Sequence, residues 1–436
     1  MELLLTLLYT LLFLFLIYKL PFFTLAGFSK RSLLLVYLLK VAAGLFMYAL
    51  YTYYYTDRNT ADIFKYFDDS KIMYDALWHH PVDYLKMMTG LGNDTPHFDV
   101  YYKQMNNWYR VFESNLYNDS HTIIRFNALL RLFSFGYFNV HTVVMCFLSL
   151  TGLVALYKFF AAYLANKKYE LFFAVFLIPS VVFWGSGVLK ESILLFGMGT
   201  ILYNLGAMLQ GKMRVRNLLW FLLALLLLVY TKYYIFIIWL PLLLSFVWCH
   251  FTGNRRCGLK YLVVVAGCVL VALNLHYVLP NYNVMQLLAM KQHDFIGLAQ
   301  QMNSGSLLTN IPLQPTLADM LKHAPLAFYN TLFRPYPFEA HSAIILFAAI
   351  ENLLLLAIIL FCLVFACKKP PHQNILYFAL LFFVATFVLT GLTTPVVGAM
   401  VRYKVPALPF MLLFFLMLAD KEKMLRKLPF LRRFLP

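Results

Sequence analysis

The chain has 436 residues, of which 62% are hydrophobic and only 13% are charged. Soluble domains contain about 45–50% apolar and about 25% charged residues, so this composition excludes an ordinary soluble protein. The formal net charge of +17 does not indicate a nucleic-acid partner, because the basic residues are concentrated in short segments between apolar runs. The six cysteines follow the spacing of neither a disulfide framework nor a zinc site. The sequence therefore predicts an all-α integral membrane protein.

Apolar runs of about 20 residues are long enough to cross a bilayer as helices. By this criterion the chain has about eleven predicted transmembrane helices, at 3–19, 33–54, 139–164, 171–186, 188–209, 217–231, 233–249, 261–279, 342–366, 375–392 and 403–419. The first run lacks the basic start and the small-residue cleavage site of a signal peptide, so we expect a retained membrane helix. The runs at 217–231 and 233–249 are short and are separated by Lys232 alone.

Lysine and arginine are concentrated in alternate connections, which is the pattern of cytoplasmic loops. These residues are Lys30 and Arg31; Lys167 and Lys168; Lys212, Arg214 and Arg216; Arg255, Arg256 and Lys260; Lys368 and Lys369; and the basic residues of the tail from Lys421 to Arg433. The bias predicts that the N-terminus is outside and the C-terminus inside, with two long outer loops.

This topology divides the chain into six parts. We predict the first two membrane helices at 1–54, an acidic outer loop with interfacial helices at 55–138, a membrane helical core at 139–279, a second outer loop at 280–341, C-terminal membrane helices at 342–419 and a basic cytoplasmic tail at 420–436.

The first outer loop is the most acidic part of the chain. Its ten acidic residues, out of nineteen in all, are Asp57, Asp62, Asp68, Asp69, Asp75, Asp83, Asp94, Asp99, Glu113 and Asp119. A helix capped by Thr60 would place Asp62, Tyr66 and Asp69 on one face, because they recur at i, i+4 and i+7. Two carboxylates on one face can supply a general base or hold a metal ion; the alternative is a solvated acidic surface.

Other charged residues lie in or beside the predicted membrane helices. They are Lys190, Glu191, Lys232, Arg334, Glu339, Glu351, Arg402 and Lys404. Charges at such positions are costly and usually face the protein interior, although a single Lys or Arg often extends its charge to the interface. Together they predict an outward cavity with cations below the acidic loop. Arginine binds phosphate through paired hydrogen bonds and lysine binds it as a point charge, so the cavity fits a lipid-linked phosphate or pyrophosphate.

Several motifs resemble those of a known superfamily. The long first outer loop, with acids directly after a membrane helix, resembles that of the type C (GT-C) membrane glycosyltransferases. Residues 179–191, Pro-Ser-Val-Val-Phe-Trp-Gly-Ser-Gly-Val-Leu-Lys-Glu, are similar to a segment of bacterial proteins in that superfamily. Residues 334–339, followed by Glu351-Asn352, and the Gly398…Arg402-Tyr403 element resemble bacterial polysaccharide-assembly membrane proteins.

The resemblance implies transfer of a sugar from a polyprenyl-phosphate-type donor to a glycan, lipid or protein acceptor. It places the site on the periplasmic or exterior side of the bacterial cytoplasmic (inner) membrane, in cell-envelope polysaccharide biosynthesis. The family's catalytic carboxylate lies in the first outer loop, which implies Asp62 as the base, with Asp57 as its rival. Asp69 would orient the acceptor or help to hold a divalent metal, although no cofactor is required by the sequence. Candidates for binding the phosphate are Lys190, Lys232, Arg334, Arg402 and Lys404.

Two other classes of function fit the same residues. An O-antigen-type polysaccharide polymerase also joins lipid-linked glycans at the outer face and relies on arginines, for which Arg334 and Arg402 are candidates. A flippase or transporter of lipid-linked glycan would use the same cationic cavity without chemistry.

Overall fold

The structure is a computed structural model that describes residues 1–109, 118–301, 304–309 and 311–430. Every regular element among these residues is helical, which confirms the predicted all-α class. In chain order, the helices of the first half are α1 (Glu2–Lys19), α2 (Lys30–Tyr53), α3 (Asp62–His79), α4 (Pro81–Thr89), α5 (Asp99–Tyr102), α6 (Ser120–Ser134), α7 (Phe138–Ala161), α8 (Lys168–Phe172), α9 (Pro179–Trp184), α10 (Lys190–Leu209) and α11 (Val215–Thr231). The remaining helices are α12 (Tyr233–Thr252), α13 (Cys257–Asn274), α14 (Val284–Gln301), α15 (Leu317–Phe333), α16 (Ala343–Val364), α17 (Gln373–Thr393), α18 (Val397–Tyr403), α19 (Leu408–Leu418) and α20 (Lys421–Lys427).

Nine helical segments of the described residues are long and apolar enough to cross a membrane. They are α1, α2, α7, α10, α12, α13 with the turn that follows it, α16, α17, and the segment Val397–Leu418, which contains α18 and α19. These segments are those of an integral membrane protein in a lipid bilayer. The predicted number of about eleven is not confirmed, and the predicted orientation stays a prediction.

The two apolar runs that account for the difference are shorter or interrupted. The run at 217–231 forms α11, which has only 17 residues. The run at 171–186 is not one helix, because α8 continues into a π-helical turn at Phe173–Leu177 and the backbone at Ile178 is extended. Pro179 follows, and proline disfavours helical backbone in the residue before it, so α9 begins as a separate helix.

The chain forms two compact units. The first comprises the described parts of Met1–Val111, Asn115–Phe159 and Val181–Tyr233, and the second those of Phe160–Ser180 and Tyr234–Pro436. In the first unit, α3 packs against both α4 and α6. Their shared core consists of buried apolar side chains such as Phe64, Met73 and Ile124. The acidic segment therefore has a folded helical core of its own.

One detail of the predicted acidic helix is wrong. The helix begins at Asp62 with Ala61 in the N-cap position, and no side chain caps its first turn. Thr60, the predicted cap, instead donates its hydroxyl to the carbonyl oxygen of Asp57 at 3.1 Å. The Thr60 hydroxyl closes the turn before the helix and is therefore not available as a cap.

Glycine allows two helices of the first unit to touch through their backbones. A Cβ atom at Gly199 of α10 would lie 1.8 Å from the carbonyl oxygen of Gly152 on α7. Any larger residue at Gly199 would force the helices apart, as expected for small residues at membrane helix crossings. In the second unit α15 and α17 meet in the same way, because a Cβ at Gly391 would lie 2.2 Å from the Ala327 carbonyl oxygen.

Candidate functional site

Two buried ion pairs meet at the start of α10 in the first unit. The Lys190 Nζ atom lies 2.6 Å from an Asp119 carboxylate oxygen and 3.2 Å from the Ser120 hydroxyl. The next residue, Glu191, accepts a hydrogen bond from Lys232 Nζ at 2.9 Å. Lys190, Glu191 and Lys232 are buried, whereas Asp119 is half-buried. Asp119, Lys190, Glu191 and Lys232 are called the charge cluster below.

Burial makes this cluster energetically costly to maintain. The attraction within a buried ion pair often only balances the cost of removing both charges from water. Loss of one partner leaves an unpaired buried charge, which costs about 3–5 kcal/mol. Apolar side chains would fill the same space without the cost of burying charge. The four charged residues are therefore candidates for a functional role.

The face of α3 that was predicted to carry the catalytic acid lies toward this cluster. Tyr66 is buried, and Lys190 Nζ lies 5.3 Å from the centre of its ring. Asp62 is half-buried in the first turn of α3, one turn before Tyr66. Residues four apart on a helix are neighbours on its surface, so Asp62 lies on the side of α3 that faces Lys190.

Asp69 and Asp57 have different local environments. Both Asp69 oxygens accept backbone hydrogen bonds, from Asn106 at 2.7 Å and from Asn107 at 2.8 Å. Burial raises the Asp69 pKa to about 6, although these two bonds act in the opposite direction. Asp57 is exposed and accepts from the backbone N–H of Asn59 at 3.0 Å. Asp69 therefore anchors a neighbouring loop to α3, and Asp57 closes a surface turn.

A stack of rings leads from the acidic segment to α6. Tyr102 stacks on Phe98 and on Trp108, with ring centres 5.9 Å and 4.2 Å apart. The other face of Trp108 contacts His121, at 3.9 Å between ring centres, and the Arg125 guanidinium lies 5.4 Å from the Trp108 ring. Phe98, Tyr102 and Trp108 are buried. This rigid stack fixes the positions of His121 and Arg125 on α6.

His121 and Arg125 line a cavity of about 770 Å³ between the acidic segment, α6 and α11. We call it the α6–α11 cavity. Its polar lining comprises Asn93, Asp94, Asn118, His121 and Arg125. Burial raises the Tyr102 pKa to about 12, a shift that Arg125 opposes and Asp94 increases. Both charged groups therefore lie near the Tyr102 hydroxyl, although Tyr102 does not line the cavity.

The opposite wall of the cavity is apolar and comes from α11. It consists of Leu223, Leu226, Leu227 and Tyr230. The Thr122 hydroxyl joins the two walls by donating to the Tyr230 carbonyl oxygen at 2.7 Å. The cavity also adjoins the charge cluster, because Asn118 and His121 lie on either side of Asp119 and Ser120 in the chain.

The second unit contains a different arrangement around Lys404. The buried Nζ of Lys404 donates to the carbonyl oxygens of Thr331 at 3.1 Å and Arg334 at 3.2 Å, and to Asn352 Oδ1 at 3.1 Å. An ammonium group has three N–H donors, so these bonds engage all of them. Two of the acceptors are carbonyls at the C-terminal end of α15, where a positive charge is favourable.

The other predicted site residues of the second unit are also engaged by the protein. Glu351 accepts from the Ser180 backbone N–H at 3.1 Å and from its hydroxyl at 2.6 Å. Arg334 forms an ion pair with Glu339 at 2.6 Å. Arg402 is half-buried in the last turn of α18. Glu351, Arg334 and Lys404 are thus each bonded to other protein groups in this unit.

The structure brings together Lys190, Glu191 and Lys232 as one cluster. Two residues to which the sequence gives no role, Asp119 and Arg125, lie in this region as well. Asp119 is one of the ten loop acids and belongs to the charge cluster, whereas Arg125 lines the adjoining cavity. Asp119 precedes a helix, which is a recognisable N-cap pattern. Its pairing with Lys190, 71 positions away, has no sequence signal.

No group of three or more His, Cys, Asp or Glu residues within the described parts of the chain is arranged to hold a metal ion. Comparisons with protein-family models, with curated proteins and with solved structures found no match to this chain.

Proposed function

We propose that this chain is a membrane glycosyltransferase of the type C kind. It moves a sugar from a polyprenyl-phosphate-type donor to a glycan, lipid or protein acceptor on the outer face of the bacterial inner membrane. The observation that carries the proposal is the charge cluster, which lies beside the Asp62 face of α3 and adjoins a cavity with one polar and one apolar wall. An amphiphilic donor needs both kinds of wall, and a transfer reaction needs buried charge next to them.

In the proposed reaction, Asp62 removes the proton from an acceptor hydroxyl. The resulting oxygen attacks the anomeric carbon of the donor sugar, and the bond from that carbon to the phosphate oxygen breaks. The lipid phosphate leaves with the electron pair of that bond. General-base assistance contributes about 10²–10⁴ in rate. Lys190 and Lys232 lie in the same unit and supply positive charge for the departing phosphate.

The two amines of the cluster suit this role because their partners are carboxylates. A carboxylate partner offsets part of the cost of burying a lysine and holds the amine in place. The incoming phosphate then meets ammonium groups whose orientation is fixed before the reaction, which is how preorganised charge lowers a barrier. The Glu191–Lys232 pair would hold the geometry of the site. Asp119, the partner of Lys190, is only half-buried, so the Lys190 amine would be able to reach the substrate.

The lipid product is the sharpest test, since it does not depend on the identity of the sugar. The full chain is reconstituted in vesicles with a panel of polyprenyl-phosphate-linked sugars and polyprenyl-diphosphate-linked oligosaccharides, and the lipids are analysed by mass spectrometry. Release of polyprenyl phosphate together with a glycosylated acceptor supports a transferase.

Two other results would each overturn the proposal. Release of polyprenyl diphosphate from a diphosphate-linked oligosaccharide, with elongation of the glycan, identifies a polymerase. Movement of intact lipid-linked glycan between leaflets, with no cleaved lipid, identifies a flippase.

A further inference from the structure

We infer that the α6–α11 cavity binds a lipid whose headgroup carries both a phosphate and free hydroxyls, with the phosphate on Arg125 and the chain along α11. This rests on the proposed function, which uses the cavity for an amphiphilic donor, and adds the chemistry of the headgroup and the residue that binds its phosphate.

Arg125 presents an available guanidinium to the cavity. Its Nε donates to the Met87 carbonyl oxygen at 2.7 Å, which fixes the side chain. The two terminal nitrogens, Nη1 and Nη2, make no hydrogen bond to the described part of the chain. A guanidinium with two free parallel nitrogens binds a phosphate through paired hydrogen bonds. The Trp108 ring centre, 5.4 Å from the guanidinium, adds a cation–π contact.

The remaining polar groups indicate hydroxyls in the same headgroup. Asp94 is exposed at the cavity lining, where a carboxylate repels a phosphate but accepts hydrogen bonds from hydroxyls. The amides of Asn93 and Asn118 line the same wall but already donate to protein oxygens, Asn93 to the Tyr102 hydroxyl and Asn118 to two backbone carbonyls. The exposed Asp94 carboxylate is therefore the main acceptor that this wall offers to a ligand. A headgroup that carries only negative charge would be repelled by the Asp94 carboxylate. A polyol phosphate complements both groups, because its phosphate binds Arg125 and its hydroxyls bind Asp94.

The apolar wall indicates a lipid in place of a free sugar phosphate. Leu223, Leu226 and Tyr230 of α11 remain about half exposed, and they recur at the spacing of one helix face. The 17 residues of α11 extend over about 25 Å, which is enough to accompany a long hydrocarbon chain. The cavity volume of about 770 Å³ is also within the range that encloses a ligand headgroup.

The test titrates four probes against the full chain in nanodiscs of phosphatidylcholine and measures bound ligand by native mass spectrometry. The probes are a polyprenyl-phosphate hexose, phosphatidylglycerol, an alkyl glucoside without phosphate, and glucose 1-phosphate without a lipid chain. We expect the two lipids with phosphate and hydroxyls to bind at least about tenfold more tightly than the other two probes. The stronger of those two identifies the source of the headgroup.

Arg125→Met keeps the length of the side chain but removes the fork, and should weaken binding of the phosphate lipids about tenfold or more. Arg58→Met is the matched control, because Arg58 is another aromatic-stacked arginine of the same unit, paired with exposed Asp68. Equal binding by both variants, or equal binding of the alkyl glucoside and the phosphate lipids by the unmodified chain, would overturn the inference. Leu226→Gln tests the apolar wall if Arg125→Met does not fold, and should weaken only the probes that carry a lipid chain.

The two proposals fail in different ways. Binding that depends on Arg125, without any cleaved lipid product, refutes the glycosyltransferase and leaves the lipid site intact. Sugar transfer by a chain whose lipid binding is unaffected by Arg125→Met refutes the lipid site and leaves the transferase intact.

Discussion

The buried lysines of the two units are held by different kinds of partner. In the first unit Lys190 and Lys232 are paired with the carboxylates of Asp119 and Glu191. In the second unit Lys404 donates to two backbone carbonyls and one side-chain amide. All three lysines are buried at helix ends and look alike in the sequence.

Buried charge alone therefore does not identify a ligand site. A lysine whose donors all bind carbonyls completes the hydrogen bonding of a helix end, as the capping rules describe. A lysine paired with a carboxylate is held in position by an opposite charge, which is the preorganised arrangement that can stabilise a departing phosphate. We therefore favour the charge cluster over the Lys404 arrangement as the reactive region.

The largest effect should come from Lys232→Met, which breaks the buried ion pair between Lys232 and Glu191. We expect a loss of about 3–5 kcal/mol in the free energy of unfolding, measured by denaturant titration in detergent. The double variant Lys232→Met with Glu191→Gln should recover most of the stability, because both charges of the pair are then removed together. Recovery of lipid-product release as well would show that this pair is structural, as we infer for Lys404.

Asp62→Asn should lose about 10²-fold or more in transfer rate, because Asn cannot take a proton at neutral pH. The unfolding midpoint should change little, as the two side chains have nearly the same size. Asp75→Asn on the same helix is the control, since Asp75 pairs with Lys71 at the protein surface. If Asp62→Asn retains the parent rate and Asp57→Asn does not, the base lies in the preceding turn.

Lys404→Met should reduce stability by about 2–3 kcal/mol, because hydrogen bonds to a charged donor are lost and carbonyls remain unpaired. The fraction that stays folded should transfer sugar at the parent rate per molecule. Product release normalised to folded protein, quantified by size-exclusion chromatography, checks this outcome. A large loss of rate with unchanged stability would reverse our assignment of the two regions.

The smallest effect concerns Asp69, whose folded-state pKa of about 6 lies above its ordinary value of 3.8. The folded chain therefore binds more protons than the unfolded chain between these values, and stability falls as the pH rises through this window. Acidification from about pH 7 to pH 5 should add about 1 kcal/mol through this group. Asp69→Asn should remove that contribution, and a pH series of unfolding midpoints for both chains measures the difference.

The sequence allowed the fold class to be predicted more fully than the site. Apolar runs determine membrane helices by composition alone, so α2, α7 and α16 could be located in advance. Pro179 was an available signal for the interruption of the run at 171–186, but the continuous hydrophobicity outweighed it. The positions of Lys190 and Glu191 at a helix start were also predictable.

Their partners were not predictable, because the pairing depends on tertiary packing. Asp119 and Lys190 are 71 positions apart, and Glu191 and Lys232 are 41 positions apart. No local pattern distinguishes a lysine that binds a carboxylate from one that binds carbonyls. The α6–α11 cavity has the same origin, since its two walls meet only after α6 packs beside α11.

The backbone contact between Gly199 and Gly152 determines where the charge cluster lies along α10. Lys190 lies nine positions before Gly199 on α10, which places it about 14 Å along the helix axis from that contact. Inserting one residue between them would shift the start of α10 by about 1.5 Å and rotate it by about 100°. Lys190 and Glu191 would then both point away from their partners, so the number of residues between the contact and the cluster is fixed as strictly as their identities.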